Sequence, residues 1–576
     1  MQTFDFTTLV AVCSDIRANW LPSRLEQVYQ RDRFTISIAL RTLNGRGWLD
    51  ISRHPQAARI CIGEPPPRVP DTFTFSQQIR HQLGGLALIN IESIASWERV
   101  VDLQFASRPG DEVLYHLYVE IMGKYSNIIL TDASNMVITV AHQVNEKKSS
   151  VRPLLTGIPY QTPPNLTNTV PSLNESQERW KERVSLIPGA IKRQLLKNYR
   201  GISPALIESM LFVSEINIEA KTDTLQPQAW DRLFQNWQTW LKALEKENFQ
   251  PTWTKSGYSV LAWGEIIAQT DIQKLINRYY TDKLNQQTFS QLQHQITQKL
   301  NNILNKLKTK SQTFIQRLQQ SEEAEEYRQK ADLLMAYLHE WEPGMKEIIL
   351  KDFETGKPVK ITLKADKNAV QNAQYLYKQH QKLKRARFAI EPLLTEVKTE
   401  IEYLEQVEAS IAQITQYETE DDLEALEEIR EELITQTYIE DTEYRRRSSS
   451  KADSTNFRRD RTPSGFEVLI GRNNRQNDLL TFRVAGDYDI WFHAQEIPGS
   501  HVLLRLAPGA SLEKTDLQYV ANLAAYYSRS RQSEQVPVIY TESKYVYKPK
   551  GAKPGIAIYK KEQVIWGQPQ RYFSSK

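Results

Sequence analysis

At 576 residues the chain is too long for one hydrophobic core, so several domains are expected. A composition of 40% hydrophobic and 25% charged residues excludes a disordered chain, and no run approaches the roughly 20 consecutive apolar residues a bilayer span requires. The net charge of +4 is nearly balanced, and with only Cys13 and Cys61 neither a disulfide framework nor a multi-cysteine zinc site can be built.

The opening segment, MQTFDFTTLVAVCSDIR, lacks a basic stretch, and Asp5 and Asp15 interrupt its apolar residues. It does not read as a signal peptide, and a cytoplasmic protein is expected. Up to about residue 165, strand-like alternation (RFTISIAL, GWLDIS, YHLYVEI, SNIILTD) mixes with helical stretches, which predicts an α+β domain closed by PYQTPPN at 159–165. A helical region follows at 175–280. Within it Gly201 and Ile202 separate two short apolar-periodic helices, with Ser203-Pro204 as cap and first helical residue of the second. The local pattern alone favours a simple αα corner over a phosphate-binding hairpin.

In the middle of the chain Leu383, Ile390, Val397, Leu404 and Ile411 recur every seven residues, with Leu394 and Ile401 in a second seam. An earlier, less regular seam runs through Ile296, Leu300, Ile303, Leu307, Phe314 and Leu318 and resumes at Leu334, Leu338 and Trp341. Between them lies a turn-rich segment at 342–367 with a short strand-like VKITL. Two seams around one turn predict an antiparallel coiled-coil hairpin rather than a zipper between two copies.

Charge then reverses abruptly. Glu418–Glu443 holds twelve acidic residues and one base, Arg430, and is followed at once by Arg445, Arg446 and Arg447. From Tyr444 to Lys576 there are 22 Lys+Arg against 12 Asp+Glu, a local +10 that leaves −6 on the rest of the chain. A basic C-terminal module of short strands and one helix (LQYVANLAAYYSRSR) is a candidate for phosphate contact.

Several blocks resemble the NFACT family. Gly465–Asp478 carries GF-x-x-L-I-G-R-N-N-x-x-N-D, Asp489–Val502 reads DIWFHAQEIPGSHV, and ANLAAYYSRSR and KPKGAKPG (Lys548–Gly555) follow in order. At the other end stand FD-x-x-x-L (Phe4–Leu9), SRHPQAARI (Ser52–Ile60) and EIMGKYSNIILTD (Glu120–Asp132), with NAQYLYKQHQKLKRA (Asn372–Ala386) in the middle. The resemblance implies a multidomain α+β protein. Its parts are an NFACT-N domain at 1–170 with a formamidopyrimidine-DNA-glycosylase-like fold, a helix-hairpin-helix domain at 175–280 and a coiled-coil hairpin at 285–435. A charged linker at 436–455 and an NFACT-R RNA-binding α/β domain at 456–576 complete the chain. The chain ends soon after that block, which implies the bacterial branch.

The function implied by the resemblance is ribosome quality control. The partners would be a large (50S) ribosomal subunit carrying peptidyl-tRNA and a charged tRNA, alanyl-tRNA in bacteria, with room for a small accessory ribosome-binding protein. The outcome would be an untemplated C-terminal tail on the stalled peptide. The ribosome supplies the peptidyl transfer, so no enzyme, cofactor, metal, membrane or DNA substrate is expected. The family pattern assigns tRNA handling to an acid near the N-terminus and an Asp-Arg pair, matched here by Asp5 and by Glu98-Arg99, where Glu replaces the family's Asp. The expected RNA contacts are Arg472, Arg475, Arg483 and Arg505 with Lys548, Lys550 and Lys553 for phosphates, and Asn473, Asn474 and Asn477 for 2′-hydroxyls or base edges. Tyr488 and Tyr526 offer rings for stacking, whereas Trp491 reads as core. His493 and His501, eight residues apart, match no metal-site spacing and read as hydrogen-bonding turn residues within the RNA-binding block.

Two other readings compete with this one. A glycosylase needs an N-terminal proline amine, but residue 2 is Gln, and no cysteine-rich zinc finger follows. A general RNA-binding protein or a surface fibronectin-binding adhesin without tailing activity is the alternative, which the lack of a recognisable leader disfavours.

Overall fold

The computed structural model describes the chain apart from residues 67–70, 95–96, 146–148, 150–151, 165–166, 441–455, 511 and 574–576. Most of the expected charged linker, including Arg445–Arg447, therefore lies outside the described residues. The chain divides into two compact units, Met1–Leu284 and Asn285–Lys576.

The first unit opens with α1 (Phe6–Trp20). Asp5 caps it in extended conformation, its carboxylate accepting the Thr8 amide that a helix start leaves unpaired. The strands β1 (Ser23–Gln30), β2 (Thr35–Arg41), β3 (Arg46–Ser52) and β4 (Arg59–Gly63) precede α2 (Thr74–Leu83). After it come β5 (Ala87–Ser93), β6 (Val100–Ala106), β7 (Tyr115–Glu120), β8 (Asn127–Asp132) and β9 (Val137–Val140). All nine form one antiparallel sheet, β4-β3-β2-β1-β5-β6-β7-β8-β9, two meanders joined through β1 and β5. The alternating segments read as strands overlap β2, β3, β7 and β8. Leu9, Val12 and Ile16 of α1 pack into the core with Ile38, Leu49, Ile60, Leu103 and Leu117 of the sheet.

Four helices follow, α3 (Gln177–Ser185), α4 (Ile191–Asn198), α5 (Pro204–Val213) and α6 (Pro227–Glu245), around a core that includes Trp180, Trp230, Trp237 and Trp240. Between α4 and α5, Gly201 adopts φ +76°, and a Cβ there would lie 2.5 Å from the Trp97 ring, so both conformation and space demand glycine. Ser203 caps α5 by accepting the Leu206 amide at 3.1 Å, with Pro204 in the first turn, as the Ser-Pro pair predicts. A small sheet, β10 (Thr252–Thr254), β11 (Gly257–Ser259) and β12 (Ile266–Gln269), comes next.

The helix α7 (Ile272–Glu322) has 51 residues, about 75 Å at ~1.5 Å per residue. In the second unit it is followed by α8 (Ala324–Ala336), the two-stranded ribbon β13 (Glu347–Lys351) and β14 (Pro358–Thr362), and α9 (Ala369–Gln413). Ile296, Leu300 and Leu304 of α7 pack with Tyr403, Leu404, Val407 and Ile411 near the end of α9. Leu333 and Leu334 of α8 pack with Ala373 and Leu376 near its start, under Ile348, Leu350 and Ile361 of the ribbon. Those two pairings make the helices antiparallel. Ile390, Val397, Leu404 and Ile411 are buried within the chain, whereas Leu338, expected in the earlier seam, is exposed beyond the end of α8. The acidic α10 (Glu420–Thr435) closes this core with Leu426, Ile429 and Leu433.

The C-terminal module contains β15 (Arg458–Arg461), β16 (Glu467–Ile470), α11 (Asn474–Leu479), β17 (Ile490–Ala494), β18 (Val502–Leu504) and α12 (Lys514–Tyr526). It continues with β19 (Val536–Glu542), β20 (Val546–Tyr547), β21 (Ile558–Tyr559) and β22 (Gln563–Gly567). Six of these strands form an antiparallel sheet, β15-β16-β18-β17-β19-β22. Val520, Ala521 and Ala524 of α12 fill one face of the sheet. On the other, Trp491, only 1% exposed, packs with Leu480, Ile539, Val546 and Tyr559, which makes it a core residue. Among the described residues no helix is long and apolar enough to cross a membrane.

Leu404 is fully buried where α7, α9 and α10 meet. Leu404→Ala should lower the stability of the second unit by about 2–5 kcal/mol, read as a shift of its urea-unfolding midpoint. An unchanged midpoint would mean that this three-helix contact is not formed in solution.

Candidate nucleic-acid interfaces

In the first unit the fold brings together three pieces that are far apart in sequence. The Asp5 carboxylate, 5% exposed, accepts Thr8 N at 2.9 Å and Thr8 Oγ1 at 2.8 Å on one oxygen, and Ser203 Oγ at 2.5 Å on the other. Ser203 thus both caps α5 and ties the α4–α5 turn to the start of α1. Arg99, just before β6, donates from Nη1 to the Phe4 carbonyl at 3.1 Å. Burial pushes its pKa down, and the nearby carboxylates of Asp5 and Glu98 push it back up. Glu98 is buried, with Oε1 3.5 Å from Arg200 Nη1.

Trp97 locks the arrangement. It is held at φ +66°, stacks on Phe6 at 4.9 Å between ring centres, meets Trp240 edge-on at 5.5 Å, and roofs Gly201. Ile202 packs against the tryptophan-rich core. Asp5, Glu98, Arg99, Gly201 and Ile202 therefore form one node. A cleft of about 650 Å³ opens beside it, lined by Gln2, Ser203, Glu208, Phe212, Tyr258 and Lys283 among others. The Ser-Pro cap is visible in the sequence, but its bond to Asp5, 198 residues away, leaves no local signal.

In the second unit, most of the residues expected to meet RNA are engaged within the chain. Asn473 caps α11 by accepting the Gln476 amide and donates to Glu428 at 2.6 Å; Gln476 donates to the same carboxylate at 2.8 Å. Asn474 donates to Glu432 at 3.1 Å, and Asn477 accepts the His501 amide at 3.0 Å. All three asparagines are 1% exposed, so their amides do not present themselves to a 2′-hydroxyl. Arg472 reaches Asp421 at 3.2 Å and Asp422 at 3.7 Å, and Arg475 reaches Glu431 at 3.5 Å. The G-R-N-N-R-Q-N-D run is thus the surface on which α10 docks. Carboxylates supply charge-assisted hydrogen bonds to amides that burial would otherwise leave unsatisfied.

The remaining expected contacts divide. Gly555, at φ +81°, lies so close to Asn474 that a Cβ would fall 2.6 Å from its Oδ1, and the Gly555 amide donates to Asp478 at 2.9 Å. The KPKGAKPG loop is therefore folded onto α11. Lys548 pairs with Asp478, and Lys553 donates to Tyr438 with its ammonium 4.7 Å from the ring centres of both Tyr403 and Tyr438. Arg505 pairs with Asp489 at 3.1 Å. Lys550, Arg483 and Tyr488 are exposed, and Tyr526 is half-buried. His501 is buried and shares a hydrogen bond with Thr481 Oγ1 at 2.7 Å; burial pushes its pKa well down. His493, 5.3 Å from it between ring centres, is pushed down to about 4 by the same cause. Both histidines belong to the interior around Trp491 rather than to surface turns.

Comparison with known proteins places both halves of the chain. Residues 5–452 match the family model of NFACT N-terminal and middle domains, and residues 456–560 that of the NFACT protein RNA binding domain. The chain is 29% identical to the Rqc2 homolog RqcH of Bacillus subtilis (strain 168), over 99% of this chain and 98% of that one. It is 30% identical to the Rqc2 homolog RqcH of Streptococcus suis (strain 05ZYH33), over 98% of each. It is also similar to a solved structure, the C-terminal part of the fibronectin/fibrinogen-binding protein from Streptococcus suis, at 31% identity and TM-score 0.37 over 49% of this chain and 95% of that one.

One carboxyl in the α10 interface should report on it. Glu432 is buried and accepts from Asn474 and, at 2.6 Å, from Tyr403 Oη, yet burial pushes its pKa up to about 7. Between pH 4.5 and 7 the folded state then holds a proton that the unfolded chain has lost, so this group's contribution falls as pH rises through that window. Glu432→Gln should remove that slope. Relative to the wild type, the variant should gain on the order of 2 kcal/mol between pH 5 and pH 8, measured by chemical denaturation at both values. A difference independent of pH would show that the carboxyl is ionised throughout.

Proposed function

The chain belongs to the NFACT family, and from that premise we propose that it is a ribosome quality control factor. It binds large ribosomal subunits that carry peptidyl-tRNA and recruits a charged tRNA, alanyl-tRNA, so that the ribosome adds an untemplated tail to the stalled peptide. The chain itself performs no bond chemistry in this scheme. The reading is supported by the names of full-length relatives and by an RNA-binding module joined to a second, N-terminal candidate site. In this reading the first unit is a formamidopyrimidine-DNA-glycosylase-like domain followed by a helix-hairpin-helix domain whose turn is Gly201-Ile202.

The observation that carries it is Arg99. A guanidinium sits at the joint between the chain's start and the α4–α5 turn, near the Asp5 and Glu98 carboxylates, in a node with a cleft at its side. A guanidinium grips phosphates and base edges with paired, directional donors, and neighbouring carboxylates hold its orientation. Within the tRNA handling that the resemblance implies, Asp5 plays an indirect part. Its oxygens already accept three hydrogen bonds, so it positions the node rather than the tRNA.

Arg99→Ala should therefore cut tail addition on stalled 50S particles by roughly tenfold or more, while co-sedimentation with those particles stays near wild type. Asp5→Ala should lower the thermal stability of the first unit as well, since removing a helix cap alone costs about 1 kcal/mol. Loss of 50S co-sedimentation in Arg99→Ala would make the arginine structural and remove its assignment to tRNA.

A further inference from the structure

With the family motif committed to α10, the RNA-facing surface of the C-terminal module must be sought elsewhere. Between Ser543 and Lys561 the chain carries six lysines, at 544, 548, 550, 553, 560 and 561, and no acidic residue. Lys548 and Lys553 are engaged with Asp478 and Tyr438. Lys560 and Lys561, beside the β20–β21 pair, are arranged differently, against aromatic rings at the surface, whereas Lys544 pairs with the carboxylate of Glu542. Lys561 stands 4.3 Å from the centre of the Tyr545 ring and 3.1 Å from its hydroxyl, Lys544 5.2 Å from the same ring, and Lys560 5.6 Å from the Tyr547 ring. Tyr547 is 43% exposed and Tyr488 58% exposed.

The backbone builds this strip. Lys561 is held at φ +56°, a conformation that non-glycine residues seldom adopt, in the turn that follows β21. The Lys560 amide donates to the Tyr545 carbonyl at 3.1 Å, and the Thr541 hydroxyl donates to the Lys560 carbonyl at 2.9 Å. Two adjacent lysines are thereby fixed against two tyrosines rather than left to trail into solvent. The sheet core anchors the other side of the ribbon through Val546 and Tyr559.

We infer that Tyr545 and Tyr547, with Lys560 and Lys561, form a binding strip for unpaired RNA. The inference rests on reading this module as RNA-binding. An exposed ammonium over a ring is a weaker contact than a nucleobase stacked on it, so a base displaces the lysine. The displaced ammonium then meets the phosphate beside that base. Rings interleaved with displaceable cations therefore suit a single strand, whose bases are available to stack, better than a duplex, whose bases are not.

The test uses the full-length protein and a fluorescein-labelled 12-nucleotide RNA, single-stranded or annealed to its complement, with anisotropy read from 50 to 200 mM KCl. The wild type should prefer the single strand. Tyr545→Leu with Tyr547→Leu should weaken that binding by roughly fivefold or more, and Tyr545→Phe with Tyr547→Phe should restore it. Lys560→Glu with Lys561→Glu should flatten the salt dependence by about 1.4 in log–log slope, at about 0.7 for each single-strand phosphate that is no longer neutralised. Thermal melting of each variant at the wild-type temperature certifies the fold. If the wild type binds RNA and the leucine pair binds equally well, the strip is not a stacking surface and the inference falls. The same holds if only the lysine pair matters, as it would for a surface that docks an acidic protein. If the wild type binds neither RNA, the RNA-binding reading of the module fails first.

Discussion

A single buried carboxylate organises the first unit. Asp5 receives three hydrogen bonds, two from its own helix start and one from Ser203, and a carboxylate in so little water is tolerable only because each oxygen is satisfied. That constraint fixes where the α4–α5 turn sits, and the turn in turn fixes Gly201 under Trp97. Arg99 completes the arrangement by binding the carbonyl just before Asp5, and with Arg200 beside Glu98 two guanidiniums face the two carboxylates. Geometry this tightly shared leaves few ways to move one member without the others.

The second unit solves a related problem, again with carboxylates as the acceptors. Here it is α10 that brings the carboxylates, and α11 with its flanking arginines that brings the donors. Such a seam resembles a nucleic-acid interface in composition, with arginines and asparagines facing anions, but the anions belong to the chain. Glu428 serving two amides at once, and Glu432 buried beneath Tyr403, mark it as packed interior rather than a loose electrostatic contact. A motif rich in phosphate-seeking residues can thus be an internal joint.

What was legible in the sequence follows from how local each cause is. Capping is local, so Ser203-Pro204 announces the start of α5, and period-seven apolar residues announce the buried face of α9. The apolar strand pattern around Trp491 announces a core strand. The asparagines read as RNA contacts because the acidic residues that bind them lie about 45 residues upstream, on a helix whose acidity reads equally well as a solvated face. The same blindness applies to His493 and His501, which flank turns in the sequence but pack inward beside Trp491. Lys544 and Lys561 carry no signal of their own, because only the folded ribbon sets them on the same ring.

The reach of the amino terminus has a consequence for synthesis. Gln2 hydrogen-bonds with Tyr258 and Tyr279 and accepts the Tyr280 hydroxyl at its carbonyl, while Asp5 waits for Ser203. A nascent chain can close its meanders strand by strand as they leave the exit tunnel, since each hairpin needs only its neighbour. The first residues translated, by contrast, find their partners late, Asp5 only once Ser203 has been made and Gln2 only after some 280 codons have been read. A product truncated between Val140 and Ser203 would carry the large sheet yet lack the Asp5–Ser203 tie, and one truncated before Tyr279 would still lack the partners of Gln2, so this part of the molecule matures only once the whole first unit has been made.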